Sequence, residues 1–572
     1  MIKLAQSARH RGRIVGALVA AVVLMLLVAA CGSSGGASSN GGGTGESTGT
    51  GTSEGSSELA VTFGKAEGPV SHINWGLPYG EPPTLDPPNT AYYSSAFVAA
   101  QLCDTLLRFK PDLSMEPGLA EVTQPDPKTI QIQLKKGIKF WDGTEMTSAD
   151  VKYSLERTAD PKNIVGFLFE SFGAIDATDK YHVTVHLKKA DELPLKELAS
   201  FAGMIYEKKY AEEKGKSFGS AEGGVMCSGP FELKKWNPGK DIELTANPDY
   251  WDPAYKPHAE SVTLDFFSET SALTNALLSG EIEGAYEVPS QAIPRLEGAS
   301  TGELHYGPAP LYYSFSVSSP ASPLAKEPKL YEALEMTIDR KALAEVVFHG
   351  AAEPNYTLLS KNSFDPEALP AWEEAYAGYE KVRENYGSSE AIEAAKKLVE
   401  ESNYNGEPLI FLTQAGDQTG LQVAQLVQQQ GKEIGLDITI KTLPAIQYAE
   451  STTDAKLREG TSITSSLSFN VATDPLEPLP FSVLPGSFYN YTEYENPEVT
   501  ELIEEAKETL DPAKRAALTI KAQSIFEEER SGTSLLGLKE VSFLSDKLSG
   551  MTTSFAYLNT PSLALIGAAS GS

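Results

Sequence analysis

The chain reads as a mixed α/β protein, and three observations carry that reading. Residues 129–134 and 181–187 alternate strictly between polar and apolar side chains, the period of half-buried strands. Residues 409–413, 418–434 and 437–441 follow as strand, one-faced helix and strand, a spacing that implies a parallel βαβ unit with a right-handed crossover. After the N-terminus no second long apolar run occurs among the 572 residues, 41% of them hydrophobic, so the body reads as soluble and long enough for about three or four domains.

The first thirty residues read as an export signal. Lys3, Arg9, Arg11 and Arg13 form a positive start, residues 14–30 are apolar or small, and Val28, Ala29 and Ala30 lead to Cys31. An aliphatic residue and two small ones before Cys resemble the bacterial lipobox, which makes Cys31 the expected lipidation site; an uncleaved span is the alternative. Two or more acyl chains suffice for stable anchoring. Residues 31–68 are then expected as a tether. Up to Glu58 it is almost wholly Gly, Ser, Thr and Asn, too poor in apolar surface to order itself. Such a flexible segment spans roughly 30 Å.

Acidic residues outnumber basic ones by 77 to 47, a formal net charge of −30. The two signs are mixed, as where Glu393 and Glu400 flank Lys396 and Lys397, which argues for solubility and against a nucleic-acid partner. Three cysteines occur. With Cys31 lipidated, Cys103 and Cys227 remain in a compartment where disulfides form; a bridge between them is expected, with two buried free thiols as the alternative. Seven scattered His give no zinc pattern, and no metal or other cofactor is expected.

Taken in order along the body, the strand at 129–134 precedes an Asp142-Gly143 turn and a helix that Thr147 caps, with Asp150 at the positive end of its dipole. The strand at 181–187 puts His182 and His186 on its polar face, read as solvated rather than metal-binding. Helices follow at 392–400 and 497–509 around the βαβ unit. Open α/β sheets place ligands beyond the carboxyl ends of their strands. No Gly-x-Ser-x-Gly elbow, His-Glu-x-x-His, phosphate loop or dinucleotide fingerprint occurs, and Gly416 to Gly420 reads as a strand-to-helix turn. No catalytic residue is assigned and the chain is not expected to be an enzyme.

Several stretches in fixed order resemble one family. Pro83-Thr84-Leu85-Asp86-Pro87 is followed by Asp104-Thr105-Leu106-Leu107 and Pro117-Gly118-Leu119-Ala120-Glu121. Next come Leu134 to Thr144, running into Thr147 to Arg157, then Ser228-Gly229-Pro230-Phe231 and Asn247-Pro248-Asp249-Tyr250-Trp251. Leu278 to Glu283 and Ile338 to Ala342 complete the series. These are similar to the peptide/nickel (dipeptide- and oligopeptide-binding) group of bacterial extracellular solute-binding proteins of ABC importers, over about residues 75–530. The resemblance implies a large type II periplasmic-binding-protein fold of two lobes, with an extra subdomain in the first. Residues 69–105, 226–305 and 534–572 would form the first lobe, 106–225 the subdomain and 306–533 the second lobe. In this layout Cys103 and Cys227 lie near the same boundary, which strengthens the expected bridge.

The resemblance further implies a small-molecule or peptide ligand in the interlobe cleft and a membrane permease that receives it. A lipid-anchored monomer on the outer side of the cell membrane is expected, with a sensory binding lipoprotein of the same fold, or a secreted hydrolase, as alternatives. Tyr79, Tyr92, Tyr93, Tyr312, Tyr313, Phe469 and Asn470 are the candidate ligand contacts, since clustered tyrosines suit stacking and orientation of a small organic solute. Peptide-binding members place a carboxylate a few residues before an Asp-Pro of the second lobe. Aligning on Asp474-Pro475 puts Val471 there, so a free peptide ammonium would lack its partner.

Overall fold

The computed structural model describes residues 61–571 apart from 63, 91, 365–367, 471–473, 488 and 530–531. The export signal, Cys31, the tether as far as residue 60, and Val471 lie outside the described residues. The stretch expected as tether extends to 68, yet its last part is paired to the body. Val61 and Thr62 pair with Thr553 and Thr552, and the Glu67 amide donates to the Ala568 carbonyl at 2.9 Å.

Among the described residues eleven strands share one sheet. On one side Leu409–Gln414 runs parallel to both Ile438–Leu443 and Ile463–Phe469, with the helix Gln418–Glu433 between the first two in sequence. This is the expected βαβ unit, and Asp417 caps its helix by accepting from the Gly420 amide at 2.9 Å. On the other side Ile73–Pro78 runs parallel to both Ser261–Phe267 and Gly284–Ala285, which flank the helix Thr270–Ser279. Two long strands, Gly302–Val317 and Gly532–Ser545, lie antiparallel between the halves and belong to both. Their register slips between Pro308 and Leu311, where Pro308 and Pro310 lack donors for the ladder. The molecule is thus two-lobed, the lobes joined through this strand pair.

A separate four-stranded sheet, in the order Ala120–Asp126, Thr129–Leu134, His182–Leu187, Phe172–Ala177, forms an extra layer. Its alternation is as read: Ile130, Ile132, Leu134, Val183, Val185 and Leu187 are buried, while His182 and His186 face out beside Asp179 and Asp176. The helix Ser148–Thr158 covers it, opened by a reciprocal cap in which the Asp150 carboxylate accepts from the Thr147 amide at 2.9 Å.

The motifs that run in family order meet in space, and this explains their residue types. Asp104, almost fully buried, accepts from Ser228 Oγ at 2.8 Å, Tyr250 OH at 2.8 Å and Trp251 Nε1 at 2.9 Å, with Arg108 alongside at 3.3 Å. A buried carboxylate needs such donors, because an unsatisfied one costs several kcal/mol, on the order of the desolvation penalty. Asp86 takes the Arg157 guanidinium through two bonds, at 2.9 and 2.8 Å, tying the early turn to the capped helix. Cys103 and Cys227 are bonded as a disulfide with Cα atoms 4.9 Å apart. The bridge closes both ends of the segment that carries the four-stranded sheet.

Candidate functional site

The first side of the cleft is built at the carboxyl ends of parallel strands. Ile73–Pro78 ends in Tyr79 and Gly80, and Gly284–Ala285 is followed by Tyr286 and Glu287. Tyr79 and Glu287 hold φ of 69° and 54°, left-handed values that cost a side-chain-bearing residue about 1–2 kcal/mol. The Glu287 carboxylate accepts from the Tyr557 hydroxyl and hydrogen-bonds Tyr79. The Glu287 amide donates to Glu540 Oε1 at 2.8 Å, so the second carboxylate arrives from the hinge strand.

Aromatic rings wall these carboxylates. Tyr286 and Tyr557 stack at 4.5 Å between centroids with planes 5° apart, and Phe97 meets both. Tyr79 stacks on Tyr93 at 5.7 Å, and Tyr93 meets Phe469 of the other lobe at 5.1 Å. Burial pushes the Glu287 carboxyl up to about 7, against the lowering bonds from Tyr557 and Tyr79. Burial, and then the charge of Glu287, raise Glu540 well above the carboxylate range. Tyr79 and Tyr93 are likewise pushed up by burial and by Glu287. Tyr79 nonetheless keeps 56% of its surface open to solvent.

The sequence-derived candidates therefore separate. Tyr79, Tyr93 and Phe469 form one continuous run of rings from lobe to lobe. Tyr92, the residue before the helix Tyr93–Leu102, is 57% exposed. Tyr312 and Tyr313 are neighbours on a strand and so face opposite ways. Tyr312 packs among Leu358, Leu359 and Trp372, whereas Tyr313 meets Ser465 Oγ at 3.2 Å and Phe348 edge-on. Asn470 is fully buried, its amide group donating to the Asp474 carbonyl at 3.2 Å. Glu287, Glu540, Tyr286 and Tyr557 were not expected from sequence. Glu287 and Tyr557 stand 270 residues apart, and no local pattern marks either.

The lobes also meet at a buried ionic cluster. Asp474, wholly buried, receives Lys196 Nζ of the extra layer at 3.0 Å and Arg515 of the second lobe at 2.8 Å on the same oxygen. Glu192 lies against Arg515, and Lys189 meets Glu504 at 3.6 Å. Burial, with Asp474 nearby, pushes Glu197 up to about 8, and burial lowers Arg515 to about 10. Phe167 packs edge-on against Phe481 at 5.2 Å beside this cluster. Among the described residues, no group of His, Cys, Asp and Glu is arranged to hold a metal ion, and no helix is long and apolar enough to cross a membrane.

Known proteins place this architecture. The glutathione-binding protein GsiB of Escherichia coli (strain K12) is 27% identical over 478 residues, covering 82% of this chain and 89% of that protein. The solved structure of AgaA with agropinic acid, from an Agrobacterium tumefaciens strain R10, superposes with a TM-score of 0.71 at 21% identity, covering 88% of this chain and 99% of the other. The oligopeptide-binding protein AppA of Bacillus subtilis, in complex with a nonapeptide, superposes with a TM-score of 0.70 at 20% identity and the same two coverages. The family described as bacterial extracellular solute-binding proteins, family 5 (middle), matches residues 114–479, and this chain belongs to it.

Proposed function

We propose that the protein is the solute-capturing component of an ABC importer, held at the outer face of the cell membrane through a lipidated Cys31. It takes a peptide or a related small organic solute into the interlobe cleft and delivers it, chemically unchanged, to a permease. The observation that carries this reading is the run Tyr79–Tyr93–Phe469, in which rings from both lobes meet beside a cavity lined by Glu287. A surface completed only when two lobes come together ties ligand binding to closure, since a ligand touching both lobes favours the closed state by its extra contacts there. The Lys196–Asp474 pair supplies a second contact that exists only with the lobes together. The glutathione- and peptide-binding relatives support peptides as the ligand class, and the agropinic acid complex supports conjugated amino acids.

The test is isothermal titration of the full-length protein, matured in a bacterial host, with glutathione, trialanine, a nonapeptide and agropinic acid. The reading predicts saturable one-to-one binding to at least one of them, with the recovered ligand unaltered. Absence of binding to every compound, or recovery of a hydrolysed product, contradicts it.

A further inference from the structure

The cleft floor pairs carboxylates with aromatic faces, and that combination selects a charge. Glu287 lines a cavity of about 20 Å³ walled by Tyr79, Tyr93, Phe97, Tyr286 and Tyr557. A space of that size takes one water-sized group. The negative faces of Tyr rings attract a cation, and more strongly once it has left water. The Glu287 carboxylate would repel an anion at close range, where the protein screens poorly.

Two groups lining the same cavity have no hydrogen-bond partner, and they do not belong to the carboxylate pair. The Tyr93 hydroxyl is one, and the indole N–H of the fully buried Trp75 is the other. A phenol oxygen accepts as well as donates, whereas an indole N–H only donates. A buried polar atom left unsatisfied costs about 1–3 kcal/mol, so both favour an occupant that supplies what they lack. An ammonium group fills one water-sized space while donating to Glu287 and to the Tyr93 oxygen.

We propose that this cavity is the subsite for a primary ammonium group of the ligand, held by Glu287 against the faces of Tyr79, Tyr93 and Tyr557. The proposal rests on the solute-binding reading and deepens it. A peptide N-terminus and a simple diamine offer the same ammonium.

The experiment compares trialanine, N-acetyl-trialanine, putrescine and succinate by isothermal titration of the full-length matured protein, its Glu287→Gln variant and its Tyr79→Leu variant. Tyr79 is half exposed, so its replacement guards against a variant that fails only by misfolding. The expected result is binding of trialanine, roughly tenfold or greater weakening on acetylation, and a similar loss in both variants, as for one charge-assisted contact. Putrescine binding that depends on Glu287, without trialanine binding, keeps the ammonium subsite and changes its source. Equal affinity for the free and acetylated peptides, binding of succinate alone, or full affinity in Glu287→Gln overturns this inference and leaves the solute-binding reading standing. If none of the four probes, nor glutathione, the nonapeptide or agropinic acid, binds the wild-type protein, the broader reading falls and takes this one with it.

Discussion

Replacing both Cys103 and Cys227 by Ala removes a cross-link that closes a loop 124 residues long. In the chain-entropy account such a loop adds about 5 kcal/mol by restricting the unfolded state. How that appears in a melting curve depends on what unfolds together. If the described body melts as one unit of about 500 residues, its unfolding entropy near Tm is about 1 kcal/mol/K and Tm falls by only about 5 °C. If the bridged segment melts alone, the same 5 kcal/mol acts on about 125 residues, and its transition falls by nearly 20 °C. Asp104, Ser228, Tyr250 and Trp251 are hydrogen-bonded across the base of the segment beside the bridge, which couples it to the first lobe. The structure therefore predicts the smaller shift, in a single transition, by differential scanning calorimetry. An early, separate transition in the variant would refute the coupling. Unchanged melting, with both thiols of the unreduced wild-type protein alkylating freely once unfolded, would refute the bridge.

Three further outcomes follow from the same geometry. Lys196→Met leaves the buried Asp474 with Arg515 but without its cross-lobe cation, so closure weakens and affinity for a bound peptide should drop by about 5- to 30-fold (~1–2 kcal/mol), mostly through faster release in stopped-flow; unchanged release would contradict a latch. Glu197, Glu287 and Glu527 have folded-state values raised to about 8, 7 and 8, chiefly by burial. Their contribution is therefore complete below the ordinary Glu range and is lost as pH rises through about 7–8; Tm should be higher at pH 5.5 than at pH 8.5, and a rise with pH would refute these assignments. Affinity for an amine should fall about tenfold per pH unit below about 7 as Glu287 takes up a proton, with Glu540, Tyr79, Tyr93 and Tyr557 the ionisable groups facing it, and Glu287→Gln should flatten that slope.

Where the fold was legible in sequence, one face of an element was wet. The strands at 129–134 and 182–187 show their alternation because one side packs under the helix Ser148–Thr158 and the other meets solvent. The βαβ unit at 409–443 shows through its one-sided helix, on which Val423, Ala424 and Val427 are buried. The two hinge strands show no such signal. Leu535 to Leu538 and Val541 to Ser545 are buried or nearly so on both faces, and Gly307, Pro308 and Pro310 break the pattern of a strand that runs through the expected lobe boundary at 305/306. The cleft divides along the same line. Tyr79 and Tyr93 were legible because aromatic residues follow a strand in sequence, whereas Glu287 and Glu540 were two among 77 acidic residues until the hinge brought them within one hydrogen bond. Two of the motifs that run in family order hold buried or partly buried charge, Asp104 through Trp251 and Asp86 through Arg157.

What occupies the cleft decides whether this protein captures a solute. Native mass spectrometry of the protein, purified from its own cells without denaturation, should show a single non-covalent small molecule per chain, amine-bearing and released intact. Collisional release without any such adduct after growth on peptide-rich medium, together with no uptake of added peptides, would contradict the claim that this protein captures a solute between its lobes.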